Sequence, residues 1–133
     1  VAQKLQELIA VNRRDPDPLY ILSWLHFKIG RLGAVKKIGA SLLYGGLPKD
    51  MSQMEAIALM KRSIALKPDY LVYHYDLGHF YQKAGQTEEA RTMFQKVAAM
   101  TPHLPEEILY KDFAECRLRG IAGDAARNGY KCR

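Results

Sequence analysis

Residues 77–102 read LGHFYQKAGQTEEARTMFQKVAAMTP, and the reading of this stretch decides the fold. Leu77-Gly78, Tyr81, Gly85, Ala90, Phe94 and Pro102 fall in the order LGxxYxxxGxxxxAxxxF…P. Each residue type has a task in a pair of antiparallel helices. Gly78 and Ala90 let two helix axes approach, because neither carries bulk beyond a methyl group. Tyr81 and Phe94 fill the space between the helices. Gly85 ends the first helix, and Pro102 ends the second, which it cannot continue.

The unit is repeated. Ala56, Met60, Ser63, Leu66 and Pro68 recur as Ala90, Phe94, Val97, Met100 and Pro102, each pair 34 residues apart. Five matched positions closing on proline mark a fixed-period repeat. The register extends upstream: Val11 to Leu22 and Leu66 to Leu77 are both 11 residues, so Leu22-Ser23 stand where Leu77-Gly78 stand. From Gly78 to Ala90 is 12 residues, but from Ser23 to Ala56 is 33, so the first hairpin holds 21 extra residues. Within them Leu32, Val35, Ile38, Leu42 and Leu43 fall at helical spacing, and Tyr44-Gly45-Gly46-Leu47-Pro48 gives a turn signal. An added helix is expected over 31–44.

The pattern resembles the tetratricopeptide-repeat consensus, with His74 where that consensus usually has Trp. The resemblance implies an all-α fold of antiparallel helix hairpins stacked as a right-handed superhelix, one domain over 1–133. In that frame 1–12 is the second helix of a truncated repeat. Residues 16–68 are a repeat carrying the inserted helix, 71–102 a regular repeat, 105–118 a partial repeat or capping helix, and 120–133 a tail. The helices are expected at 1–12, 18–29, 31–44, 52–66, 69–84, 87–101 and 105–118. Local chemistry agrees with these starts. Asp17-Pro18 supplies a cap and a first-turn proline, Ser52 with Glu55 a capping box, Thr87 a cap followed by the acids Glu88 and Glu89, and Pro105-Glu106-Glu107 acids at a helix N-terminus.

The insert narrows the likeness. Leu22-Ser23-Trp24-Leu25-His26-Phe27, then Ser41-Leu42-Leu43-Tyr44-Gly45-Gly46-Leu47-Pro48-Lys49, then Ser52 to Pro68 and on to Gly78, resemble the regulator of microtubule dynamics family and its bacterial relatives. The likeness covers about residues 8–102. Gly33-Ala34 and Lys36 depart from it, since the family usually has a Ser-Trp pair and an acidic residue there. The resemblance implies association with microtubules in animal members, and in one of them a lipid-binding repeat domain that tethers organelles.

No catalytic constellation is legible, and the chain is expected not to be an enzyme and to need no cofactor. His74 and His79 are five apart, on different faces of one helix, whereas a metal pair needs three or four. Cys116 and Cys132 have neither zinc spacing nor the density of a disulfide framework. Gly45-Gly46 precede Leu-Pro rather than a helix that could hold an anion. No apolar run reaches about 18 residues, so no transmembrane segment is expected. The chain opens on Val1 within a helical pattern, so upstream sequence is expected, and localisation stays open.

A protein partner fits best. In such domains the first helix of each hairpin lines a concave groove, and the register places Tyr20 and Trp24, then Val72, Tyr75, His79 and Gln82, at groove positions. Aromatics with polar tips suit recognition, because they bury area and keep a hydrogen bond. Chaperone-type grooves clamp a carboxylate with Lys and Asn, and Tyr75, Asp76 and His79 here argue against that partner. Two alternatives remain: a lipid or hydrophobic-ligand module, and a binder of acidic polymers such as microtubule tails, drawn by the net charge of +6. Aromatics at helical spacing are core more often than base-stacking platforms, which argues against nucleic acid. Self-association is open too, through the apolar face of the N-terminal helix at Leu5 and Leu8.

Overall fold

The computed structural model describes residues 2–31 and 52–122. The chain divides into two compact units, Val1–Pro68 and Asp69–Arg133. Every regular element among the described residues is an α-helix. The first unit holds α1 (Ala2–Val11), α2 (Pro16–Gly30) and α3 (Gln53–Leu66); the second holds α4 (Leu71–Lys83), α5 (Thr87–Ala99) and α6 (Pro105–Ile121). The inserted helix expected over 31–44 lies outside the described residues, apart from Arg31. That residue closes α2, its N–H donating to the Ile29 carbonyl. Residues 123–133 of the expected tail also lie outside them.

In the first unit α2 packs against α3, and α1 packs on α2. Ala2 and Leu5 of α1 meet Leu19, Leu22 and Ile29 of α2 and Leu59 of α3 in one core. Ala56, Met60 and Ser63 are wholly buried on α3. The cap of α2 differs from expectation. Asp15, not Asp17, takes the position, its carboxylate accepting the Asp17 N–H at 3.0 Å. Pro16 and Pro18 then both fall in the first turn, where a missing N–H costs nothing. Ser52 does cap α3, accepting the Glu55 N–H at 3.1 Å.

In the second unit α4 packs against α5, and α6 packs on both. Leu71, Phe80, Phe94 and Val97 are fully enclosed; burying each such side chain contributes about 1.5–3 kcal/mol. A Cβ on Gly78 would sit 2.7 Å from the Phe94 ring, so this close approach requires glycine. Gly85 has φ +81°, a left-handed conformation suited to ending α4. Thr87 is the first residue of α5 rather than its cap, and Gln86 precedes it without a side-chain bond.

Glu107 joins two helix starts. Its side chain is 1% exposed. Oε1 accepts the His103 and Leu104 N–H groups at 3.1 and 3.0 Å, and Oε2 accepts the Leu71 N–H at 2.8 Å. One carboxylate therefore satisfies donors at the N-termini of both α4 and α6, where the helix dipoles favour negative charge.

Candidate functional site: a face of α4 and α6

Along α4, the spacing of Val72, Tyr75, His79 and Gln82 puts them on one face. The facing residues of α6 are Tyr110, Phe113 and Arg117, spaced the same way. The Tyr75 ring lies 5.5 Å from Phe94, 5.1 Å from Tyr110 and 6.1 Å from Phe113, and Tyr110 meets Phe113 at 5.7 Å. Arg117 donates to the Gln82 amide oxygen at 2.8 Å and is also hydrogen-bonded to the Tyr75 hydroxyl. Burial pushes the Tyr75 hydroxyl's pKa up, against the pull of Arg117. Burial, with Asp76 and Tyr75 nearby, pushes Tyr110 up as well. Both phenols therefore stay neutral hydrogen-bonding groups near neutral pH.

This geometry corrects part of the groove expectation. Val72 and Tyr75 are 4% and 6% exposed, so both belong to the core. The reason is α6, which lies along α4 and covers that face with Tyr110 and Phe113. His79 and Gln82 stay half-buried, and so do Tyr110, Phe113 and Arg117. In the first unit Tyr20 and Trp24 are also half-buried. Trp24 meets Phe27 edge-on at 5.7 Å, and the Lys28 ammonium lies 5.6 Å from its ring, within cation–π range. The repeat positions are placed as follows: Leu77, Gly78, Tyr81, Ala90, Phe94 and Ala56 are buried. Gly85, Pro68 and Pro102 sit at helix ends with part or all of the residue exposed.

Three features escaped the sequence reading. Glu107 looked like an ordinary first-turn acid. Arg117 was not singled out, although its spacing from Tyr110 and Phe113 was a usable signal. The third is a cavity of about 410 Å³ in the first unit, lined by Leu22 and His26 of α2, Glu55, Leu59 and Arg62 of α3, and Gln6 and Ile9 of α1. His26 is 5% exposed, and its buried Nδ1 has no hydrogen-bond partner among the described residues. Burial lowers its pKa below the ordinary 6.5, and Glu55 opposes that shift.

Among the described residues, no three His, Cys, Asp or Glu side chains gather as a metal site. No described helix is long and apolar enough to cross a membrane. None of the curated proteins searched matches this sequence. The profile of a family described as regulator of microtubule dynamics protein 1-3 does match it, over residues 1–120. That match spans nearly the whole chain, both helical units included, and the chain belongs to the regulator of microtubule dynamics family.

Proposed function

We propose that this chain is a non-catalytic protein–protein interaction scaffold, a tetratricopeptide-type stack that takes a partner segment along the α4–α6 face. The observation that supports this reading most is the half-buried aromatic and polar patch of His79, Gln82, Tyr110, Phe113 and Arg117, backed by the buried Tyr75 ring. Rigid aromatics and arginine dominate the energetics of protein interfaces. Here their rotamers are held before any partner arrives, so less ordering entropy opposes binding.

A second reading has its own support. The first unit carries eleven Lys and Arg against five Asp and Glu, and the second carries nine of each. The whole net charge of +6 therefore resides in the first unit. An acidic polymer such as a microtubule tail, which the family's description brings to mind, would be drawn there, and the attraction would weaken with salt.

Site-specific photo-cross-linking tests the scaffold reading. A cross-linker at position 79 is expected to trap a defined protein segment, while one at position 95, exposed on α5, traps nothing in common with it. Equal yields of the same proteins from both positions would contradict the reading.

A further inference from the structure

The cavity in the first unit has a cause legible in the repeat register. Leu22-Ser23 align with Leu77-Gly78, so His26 aligns with Tyr81. In the second unit that tyrosine is buried. An imidazole at the same register position is shorter by a ring edge and a hydroxyl, and it leaves space against α3. The space is bounded by polar groups that are unpaired among the described residues. His26 Nδ1 has no hydrogen-bond partner among the described residues, which is unusual for a buried polar atom. Among the described residues, neither the Glu55 carboxylate nor the Arg62 guanidinium forms an ion pair. They cannot neutralise one another along the helix. Seven residues apart on α3, they are separated by roughly 10 Å of helix rise. Leu59, between them in sequence on α3, and Leu22 of α2 give the lining apolar surface. Glu55 is felt electrostatically by His26, so these two mark the same end of the cavity.

We propose that this cavity binds small zwitterions, with the ammonium end received by Glu55 and His26, the carboxylate end by Arg62, and an apolar body over Leu22 and Leu59. A ligand with one charge would leave one pole unmatched, and an uncharged one would leave both. A span of roughly 10 Å corresponds to a straight chain of about eight carbons or to a short peptide with free ends. The site lies wholly within the first unit and does not depend on the α4–α6 reading.

The probe is 8-aminooctanoate, with octanoate and octylamine as single-charge comparisons. Binding is read by NMR of the His26 ring and by calorimetry on the full chain. The expected result is a saturable shift of the ring signals with 8-aminooctanoate. Binding of either single-charge compound, and of the probe to Arg62→Gln or Glu55→Gln, should be about tenfold weaker, as loss of one charge-assisted contact implies. His26→Tyr restores the larger ring of the other unit, should fold, and should abolish binding. Arg62 and Glu55 lie on an exposed helix face, so their variants test the proposal even if His26→Tyr fails to fold. The absence of a saturable shift would overturn the proposal and leave the cavity to water. Octanoate binding as tightly as the zwitterion would also overturn it, in favour of a fatty-acid site.

Discussion

In the second unit Tyr81 is buried on α4, and Phe94 packs directly on Gly78; at the matching positions of the first unit stand His26, Met60 and Ser23. The two hairpins share a register and fill it differently. Where the first helix gains a side chain, from Gly78 to Ser23, the facing helix gives up an aromatic ring, from Phe94 to Met60. Ser23 turns its hydroxyl back on its own helix, donating to the Tyr20 carbonyl at 2.6 Å. The exchange of Tyr81 for His26 has no such compensation, and the cavity is what remains. Charge follows the same division, with the net excess of basic residues confined to the unit that holds the cavity. A repeat register therefore fixes which positions face one another, while the volumes placed there decide whether a hairpin is closed core or open site.

The comparison can be broken most forcefully in the cores. Phe94→Ala should destabilise the second unit by about 4 kcal/mol and Met60→Ala the first by about 3 kcal/mol, as cavity-forming substitutions do. Denaturant unfolding of each variant measures this, and a larger loss at Met60 would show that the first hairpin is the more tightly packed. Next in size is Glu107→Ala, which leaves the buried Leu71 N–H and the part-buried His103 and Leu104 N–H groups without their acceptor and should cost about 3 kcal/mol. Glu107→Gln keeps one carbonyl oxygen and should recover part of it. Hydrogen exchange at Leu71, His103 and Leu104 should quicken in both variants, and unchanged protection there would remove the carboxylate from the account.

A smaller effect separates the units by pH. Burial favours neutral His26 in the folded chain, so its folded pKa lies below the unfolded 6.5. The stabilisation is fully present above that unfolded value. It is lost as pH falls below 6.5 and through the depressed folded value, because the unfolded chain then binds the proton more readily. Urea titrations across this window should show the first unit weakening with acid, and His26→Tyr should remove His26's share of the dependence. The smallest effect is expected from exchanging contents between the hairpins. Ser23→Gly with Met60→Phe imports the Gly78–Phe94 pair, and the double variant should stay within about 1 kcal/mol of the parent while the single Met60→Phe overpacks.

The hairpins were legible because their period is carried by residues with local work. Gly85 announces a helix end through its left-handed backbone, and Gly78 with Phe94 announces a close approach. Residues whose role depends on a third element were not legible. Val72 and Tyr75 occupy groove positions in the hairpin considered alone, and only the placement of α6 turns them into core. Glu107 resembles any acid in a first helical turn; its bond to Leu71 spans 36 positions and belongs to tertiary structure. Asp17 and Thr87 were read as caps one or two residues from the true starts, because neighbouring prolines and acids suit either register. Spacing singled out no role for His26. That its Nδ1 is buried without a described partner depends on which groups α1 and α3 bring around it, which spacing alone does not weigh.

The scaffold account is tested most directly by the affinity of the cross-linked partner segment, measured by calorimetry at low and physiological salt. The parent should be compared with Tyr110→Ala and with an Arg13→Ala, Arg14→Ala double variant of the first unit, all with melting curves to confirm folding. Binding is predicted to weaken at least about tenfold in Tyr110→Ala, as loss of a central aromatic contact does, and to change little with salt or with the arginine variant. Undiminished affinity in Tyr110→Ala, together with steep salt dependence and loss in the arginine variant, would contradict the account and move the binding site to the basic unit.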